Sequence, residues 1–209
     1  MPPAFLYLDD SLLVVDKPSG LLAVPGRGEA GLDNQAGRVQ AAVPDALVVH
    51  RLDMSTSGLL LFARGKEMQR RLSHAFAQRE VHKEYVAVVD GVVGPEHGEI
   101  DLPLLTDWPN RPRQKVDFAD GKPALTRYTV LERDALRGTT RLRLEPVTGR
   151  SHQLRVHLLA IGHPIAGDAL YAPPDALAKA PRLLLHAQSL ALPHPVDGRP
   201  MRFHSPAPF

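Results

Sequence analysis

The sequence contains no cysteine, which excludes disulfide bonds, thiolate zinc sites and a cysteine nucleophile. No apolar run approaches the ~20 residues that a membrane span needs. The N-terminus also lacks the charged stretch and apolar core of a secretory signal. We therefore expect a soluble, cytoplasmic protein without a membrane span.

Ten histidines raise the question of a metal site. His152 and His157 would lie on opposite faces of a strand, or about 140° apart on a helix. The spacing of His157 and His163 matches no recognised ligand pattern. The spacing of His194 and His204 matches none either. We therefore predict no metal site.

The length and composition predict one catalytic domain over residues 1–209. A chain of 209 residues with 44% hydrophobic content can bury one sizeable core. No internal repeat, low-complexity block or linker divides it. Predicted strands and helices are interspersed without regular βαβ alternation, which indicates an α+β class.

The formal net charge of +2 is too small by itself to indicate a nucleic-acid partner. The distribution of charge is more informative, because clustered Lys and Arg contact phosphates. An ordinary solvated face is the alternative. The two basic clusters are Arg70, Arg71, Arg79 and Lys83, and then Arg111, Arg113 and Lys115.

Hydrophobic periodicity and turn residues predict most of the regular elements. The predicted helix over residues 66–79 is amphipathic, with a basic outer side. Arg150 would stand at the entrance of a helix that Gly162 ends. The full set is two short strands within 5–25, mostly loop with one short helix over 26–46, strands at 59–63, 81–89, 126–133 and 139–147, and helices over 66–79 and 151–161.

The segment from His50 to Gly58 reads HRLDMSTSG and places one carboxylate in a tight turn before a buried strand. A rigid sheet edge of this kind is where functional sites are usually built. The alternative is that Asp53 only caps the turn while Arg51 forms a surface ion pair worth about 0 to 1 kcal/mol. Local sequence leaves both interpretations open.

Four further segments complete a pattern that resembles the RluA-type pseudouridine synthases, which isomerise uridine in RNA. HRLDMSTSG is similar to the catalytic motif of that family, with Asp53 at the position of its aspartate. The other segments follow in the order of the family. They are LDDSLLVVDKPSG at 8–20, KEYVA at 83–87, TGRSHQLRVH at 148–157 and LLLHA at 183–187.

This resemblance implies the fold and the chemistry. The implied fold is a mixed, mainly antiparallel β-sheet flanked by helices, with a central active-site cleft and no separate N-terminal RNA-binding domain. The implied reaction detaches uracil from the sugar, turns it and rejoins it through C5. No electron is transferred and no group is lost, so we expect no cofactor.

The resemblance also assigns roles to particular residues. Asp53 is the catalytic carboxylate, acting either as nucleophile at the anomeric carbon or as base on the ribose. Arg150 pairs with Asp53 and keeps it ionised. Tyr85 stacks near the base and assists removal of the C5 proton, although a strand tyrosine is most often a core residue. Leu184 forms part of an apolar pocket wall that limits water access.

For RNA binding, the resemblance implies that Arg51 enters the stack vacated by a flipped nucleotide. Residues 107–115 resemble the family member that modifies both large-subunit ribosomal RNA and the tRNA anticodon stem-loop. We expect one or both of these RNAs as partners and a monomeric enzyme, with target choice in residues 26–46 and 106–122. The remaining predicted RNA contacts are His50, Lys83, Arg111, Arg113, Lys115 and Arg155.

Two other classes of function are compatible with parts of the sequence. An RNA-binding module without catalysis would keep the basic clusters but has no need of Asp53, Tyr85 and Arg150, which are all present. The other class is a phosphodiesterase or other hydrolase built on the His and Asp residues. A glycoside hydrolase would normally need two carboxylates flanking the bond. The catalytic motif offers one carboxylate.

Overall fold

The computed structural model describes residues 4–26, 28 and 31–209. Within this part of the chain, no helix is both long and apolar enough to cross a membrane. The elements in chain order are β1 (Phe5–Leu8), β2 (Leu12–Lys17), α1 (Gln35–Ala42), β3 (Ala46–Val48), β4 (Ser57–Arg64), α2 (Gly65–Ala77), β5 (His82–Asp90), β6 (His97–Asp101), β7 (Leu104–Thr106), a 3-10 turn (Trp108–Asn110), β8 (Gln114–Val116), β9 (Leu125–Asp134), β10 (Thr139–Pro146), α3 (Gln153–Ala160), α4 (Pro174–Ala178), β11 (Leu185–Pro193) and β12 (Pro200–His204).

The described residues form two compact units. The first unit runs to Lys83 and also includes residues 186–208. The second unit comprises residues 84–185 together with Phe209. The single catalytic domain over residues 1–209 stays a prediction.

The first unit is built around β4, whose residues are almost all buried. Strand β4 pairs antiparallel with β2 and with β3, and parallel with β11. Strand β2 also pairs with β1, and β11 with β12, both antiparallel. Helix α2 packs its apolar side into this unit through Leu72 and Ala75, which join a core cluster with Leu12, Leu61 and Leu190. This packing gives the turn before β4 a rigid support.

The second unit is built around β10, which pairs antiparallel with β5 and with β9. Strand β9 pairs antiparallel with β6, and β7 with β8 in a separate hairpin. The core cluster of this unit includes Ala87, Leu142, Leu158 and Leu183. Helix α3 therefore contributes its buried Leu158 to the same core as the central strands.

The α+β class and the mixed, mainly antiparallel strand pairing confirm the predicted fold class. The strongly periodic segments were located to within a few residues, including α2 and the β9–β10 pair. The sequence interpretation missed β3, β6, β7, β8, β11, β12 and α4. Strand β6 shows why, because Ile100 is its only buried residue. Such a strand has no apolar alternation to detect.

The prediction of a loop with one short helix over residues 26–46 is confirmed for the described residues by α1 (Gln35–Ala42). Arg38 on this helix forms an ion pair with Asp33, with an N to O distance of 2.6 Å. Arg27, the other basic residue noted in this loop, lies outside the described residues.

Candidate active site

Asp53 lies half-buried in a tight turn in the first unit, immediately before β4. The backbone N–H of Thr56 donates to the carbonyl of Asp53 at 3.1 Å and closes the turn. Arg51, two residues earlier, is exposed. The turn therefore carries a half-buried carboxylate two residues after an exposed arginine.

Lys17 lies beneath this turn and is completely buried. Its ammonium donates to three backbone carbonyl oxygens, those of Pro18 at 2.8 Å, Leu21 at 2.7 Å and Met54 at 3.1 Å. Met54 directly follows Asp53 in the chain. A buried ammonium is tolerated only when its charge is compensated by such acceptors. Lys17 thus fixes the backbone next to Asp53.

The segment after Lys17 forms two more hydrogen bonds to the turn. The hydroxyl of Ser19 donates to the carbonyl of Ser55 at 2.7 Å. The backbone N–H of Gly20 donates to the carbonyl of Met54 at 2.9 Å. The sequence KPSG and the turn at Asp53 therefore form one hydrogen-bonded structure.

His50 anchors the start of the motif to the sheet. Its Nε2 accepts a hydrogen bond from the backbone N–H of Leu61 at 3.0 Å, and its ring lies 4.8 Å from that of Phe76. Burial, followed by the charge of Lys83, lowers the pKa of His50 to about 3. His50 is therefore neutral at physiological pH. A neutral anchor has no charge for the phosphate contact that the sequence suggested.

A buried chain of polar groups runs under the other end of the motif. Nε2 of His186 lies 3.1 Å from the carbonyl of Ser205, and its Nδ1 lies 2.9 Å from the hydroxyl of Ser57. Because a carbonyl only accepts, Nε2 donates, and in the neutral imidazole Nδ1 then accepts from Ser57. The hydroxyl of Ser205 in turn donates to Asp16 at 2.6 Å. These bonds tie β11 and β2 to the first residue of β4.

Tyr85 and Leu184 lie in the second unit. Both are partly buried and pack against the core cluster that contains Leu142 and Leu158. Tyr85 is on β5, opposite Leu144 of β10. The backbone N–H of Leu184 donates to the carbonyl of Ala166 at 3.0 Å. The predicted tyrosine and the predicted apolar wall thus border the same core cluster.

Arg150 is exposed, and its loop is organised by the buried side chain of Gln153. The amide oxygen of Gln153 accepts from the hydroxyl of Thr148 at 2.7 Å and from the backbone N–H of Arg150 at 3.0 Å. Its amide nitrogen donates to the carbonyl of Leu125 at 2.9 Å and to the hydroxyl of Thr126 at 3.0 Å. All the polar groups of this amide are thereby used. Gln153 thus orders the backbone of Arg150, whose Nε donates to the carbonyl of Pro123 at 3.1 Å.

Arg155 does not lie where a phosphate contact would place it. It is buried and forms a bidentate ion pair with Asp168, with N to O distances of 2.8 and 2.6 Å. Its guanidinium carbon lies 5.0 Å from the ring centroid of Tyr171. The hydroxyl of Tyr171 lies 2.6 Å from Nδ1 of His152. This burial does not support the predicted RNA contact and indicates that Arg155 supports Tyr171 and the loop at His152.

The basic residues of the second cluster lie in and beside the β7–β8 hairpin. The guanidinium carbon of Arg111 lies 4.7 Å from the ring centroid of Trp108, and that of Arg113 lies 5.2 Å from the ring of Tyr171. Lys115 forms an ion pair with Asp117 at 2.9 Å, and this hydrogen bond raises the pKa of Lys115. Lys115 is therefore charged at neutral pH.

The first basic cluster is partly neutralised. Arg70 and Arg71 on α2 form ion pairs with Glu67 at 2.6 and 2.9 Å. Burial lowers the pKa of Lys83. Surface ion pairs of this kind weaken the field available to an RNA phosphate.

The structure thus places the predicted site residues in both units. The first unit carries the catalytic motif, and the second carries the tyrosine, the arginine and the apolar wall. The pairing of Asp53 with Arg150 stays a prediction. Within the part of the chain that the structure describes, no group of three or more His, Asp or Glu side chains is arranged to hold a metal ion.

Sequence reasoning missed four residues that organise the site, namely Lys17, His186, Gln153 and Tyr171. Lys17 is detectable in the sequence, since it is a charged residue that closely follows the apolar run LLVV. No sequence pattern identifies Gln153, because a single glutamine near the start of a helix is ordinary. The hydrogen bonds of His186 and Tyr171 join segments distant in sequence, which no local pattern reveals.

Comparison with known proteins places the chain in one family. The model of the family described as RNA pseudouridylate synthase matches residues 11–160. The chain is 55% identical over 204 residues to the dual-specificity RNA pseudouridine synthase RluA of Escherichia coli K12, covering 98% of this chain and 93% of that protein. It is 53% identical to the Yersinia pestis protein of the same name, covering 98% of each chain.

Solved structures of human proteins give the same result. Human RNA pseudouridylate synthase domain containing 1 superposes with a TM-score of 0.83 at 29% identity, over 99% of this chain and 84% of that one. Human RNA pseudouridylate synthase domain containing 4 gives a TM-score of 0.76 at 25% identity. The match covers 98% of this chain and 88% of that one. The chain therefore belongs to the RNA pseudouridylate synthase family and is an isomerase that converts uridine to pseudouridine in RNA.

Proposed function

We propose that this enzyme modifies uridines in two classes of RNA, stem-loops of large-subunit ribosomal RNA and the anticodon stem-loop of tRNA. The observation that carries the proposal is the identity of 55%, over almost the whole chain, with a synthase named as having dual specificity. Residues 107–115, which resemble the segment of the dual-specificity member, form the tip of an ordered hairpin and the first two residues of its second strand. Both substrates are cytoplasmic in a bacterial cell, so we assign the enzyme to the cytoplasm. We expect it to act as a monomer.

Asp53 carries out the first chemical step. The bond from the anomeric carbon to N1 of uracil breaks, and uracil leaves as a delocalised anion. Asp53 either attacks the anomeric carbon or removes a proton from the ribose. The turned base then bonds through C5, loses the C5 proton and gains a proton at N1, so atoms and electrons balance without a cofactor. Lys17 supports this step by fixing the backbone at Met54.

The other predicted site residues act around this carboxylate. Arg150 pairs with Asp53 and keeps it ionised, and Gln153 sets the loop that presents Arg150. Tyr85 contacts the base and assists loss of the C5 proton. Leu184 excludes water, which limits hydrolysis while uracil is detached.

Arg51 provides access to the target. A stacked uridine must leave the RNA stack at a cost of a few kcal/mol before its sugar bond can be reached. The exposed guanidinium of Arg51 fills the vacated position, while neutral His50 anchors the backbone before it. Arg51→Ala should therefore lower turnover on a folded stem-loop without unfolding the protein. Arg127→Ala, at an exposed position of β9, is the matched control, and equal activity of Arg51→Ala and this control would exclude the role.

The remaining contacts with RNA are made by cations that hold phosphates without reading sequence. We assign this role to Arg111, Arg113 and Lys115 of the hairpin and to Lys83. Binding by these residues should weaken as salt concentration rises, because counterions are released from the RNA backbone.

The test uses cells that lack the gene and carry either the wild-type chain or Asp53→Asn. Pseudouridine is mapped in ribosomal RNA and tRNA by carbodiimide labelling and primer extension. We expect wild type to restore sites in both RNA classes and Asp53→Asn to restore none. Restoration in only one class would refute dual specificity. Restoration of no site by wild type, with RNA binding retained, would favour a binding module.

A further inference from the structure

The tip of the β7–β8 hairpin exposes the only tryptophan of the chain. Trp108 is 63% exposed, and Phe118, which follows β8, is 78% exposed. Large aromatic side chains usually contribute to cores or interfaces, because each buries a large apolar area. Two exposed aromatic rings in one short basic segment therefore indicate a binding surface.

Trp108 forms a mixed stacking surface with a neighbouring cation. The guanidinium carbon of Arg111 lies 4.7 Å from its ring centroid, which is within the range of a cation–π contact. Both groups are planar, and both stack on nucleobases. Arg113 and Lys115 follow at alternate positions along the hairpin and supply further positive charge.

The hairpin tip is ordered by its own hydrogen bonds. Three backbone N–H groups donate to backbone carbonyl oxygens, each at 3.0 Å. The N–H of Asp107 donates to Arg113, that of Asn110 to Asp107, and that of Arg113 to Asn110. The amide of Asn110 also donates to the carboxylate of Asp107 at 2.9 Å. At the base of the tip, the backbone N–H of Gln114 donates to the hydroxyl of Tyr171 at 2.7 Å. The surface is thus formed before a ligand arrives, which lowers the entropy lost on binding.

We propose that Trp108 and Arg111 form a stacking site for an unpaired base in the RNA loop that contains the target uridine. The inference rests on the proposed function and adds to it a residue that selects loops over duplexes. A duplex hides the faces of its bases, whereas a loop offers them. The positive charge of Arg111 and its neighbours suits the phosphates on either side of such a base.

The test follows the emission of Trp108, which reports this site alone because the chain has no other tryptophan. The full chain carrying Asp53→Asn, which prevents turnover, is titrated with an anticodon stem-loop and with a duplex of the same stem sequence. We expect the stem-loop to quench the emission and the duplex to leave it nearly unchanged. Unchanged emission at a stem-loop concentration that saturates binding, measured by anisotropy of labelled RNA, would overturn the proposal.

Substitutions provide the second measurement. Trp108→Ala should raise Kd for the stem-loop about tenfold, within the range for loss of one base–aromatic stack. On the active enzyme it should raise KM while leaving kcat near wild type. Trp108→Phe should recover most of the affinity, and Leu136→Ala, at a fully exposed position of the same unit, should have no effect. Wild-type affinity of Trp108→Ala would also overturn the proposal.

Pseudouridine yield from the active enzyme on the same RNA separates the two proposals. Modification of the anticodon stem-loop without a change in emission would refute the stacking site and support the proposed substrate. Quenching without any modification would support the stacking site and refute the proposed substrate.

Discussion

The ammonium of Lys17 donates to the carbonyl of Met54 across 3.1 Å, and this bond joins the end of β2 to the residue that follows Asp53. Two further carbonyl oxygens share the same ammonium. The completely buried ammonium therefore holds the backbone of a turn. The turn that carries Asp53 is therefore held by a residue that lies 37 positions before Met54 in the sequence.

Replacement of this lysine should disturb the turn at Asp53. Lys17→Met keeps the apolar stem but leaves three backbone carbonyl oxygens without this donor. We expect a loss of about 3 kcal/mol in the free energy of unfolding, since each unsatisfied buried acceptor costs about 1–3 kcal/mol and the buried charge is relieved in part. Urea unfolding measures the loss. Lys66→Met, at an exposed position, should be neutral, and equal stability of the two variants would show that Lys17 does not stabilise the turn.

Gly58 should not tolerate a side chain. Its φ is +113°, and a Cβ atom there would overlap the backbone of Ala187, its partner in the parallel pairing of β4 and β11. Gly58→Ala should lower stability by about 3 kcal/mol or more, because strain and overlap add. Gly94→Ala provides the control, since nothing lies within 4 Å of a Cβ built there. Thermal unfolding of both variants checks the prediction. Equal unfolding temperatures of Gly58→Ala and Gly94→Ala would contradict it.

Gln153→Leu should separate folding from catalysis. The substitution removes the acceptor for the backbone N–H of Arg150 and leaves the carbonyl of Leu125 without its side-chain donor. We expect a loss of about 2 kcal/mol in stability. We also expect kcat to fall at least about tenfold, because small displacements of a site residue are costly. Single-turnover kinetics under conditions where the variant is fully folded measure this effect. Gln78→Leu, at an exposed position, should keep wild-type kcat.

His50 should make the protein less stable in mild acid. Burial, and then Lys83, lowers its pKa to about 3 in the folded protein, whereas the unfolded chain has the ordinary value of 6.5. Below pH 6.5 the unfolded state therefore binds a proton that the folded state does not. Stability then falls with decreasing pH down to about 3, by at most about 1.4 kcal/mol per pH unit for this group.

The difference between wild type and His50→Asn isolates this contribution. Asparagine offers an oxygen acceptor for the N–H of Leu61 but does not titrate in this range. Urea unfolding between pH 7 and pH 4 should show a shallower pH dependence for His50→Asn. His97→Asn, at an exposed position, retains His50 and should keep the wild-type dependence. Parallel curves for wild type and His50→Asn would contradict the assigned pKa.

Much of the scaffold around the site was predictable because its elements leave periodic signals. Helix α2 alternates buried and exposed positions at helical spacing, and β4 is a continuous apolar run. The motif at Asp53 was visible because turn residues precede a buried strand. Each of these signals depends on residues close together in sequence.

The supporting polar groups were not predictable, because their partners are distant in the chain. Ser57 and His186 are 129 residues apart, and the hydrogen bond between them exists only after β4 and β11 pair. For Arg155, by contrast, the sequence predicted an RNA contact that the structure does not support. From the sequence alone, a basic residue in an RNA enzyme indicates a phosphate contact. In the structure, Arg155 is instead buried in an ion pair with Asp168.

The central claim is that Asp53 performs the isomerisation, and release of tritium from RNA labelled at C5 of uridine tests it most directly. Release reports loss of the C5 hydrogen, which occurs only after the base has turned. We expect purified wild-type protein and Asp10→Asn, altered at a fully exposed carboxylate, to release tritium at the same rate. Asp53→Asn should bind the RNA and fold normally but release none. Tritium release by Asp53→Asn at the wild-type rate would contradict the account.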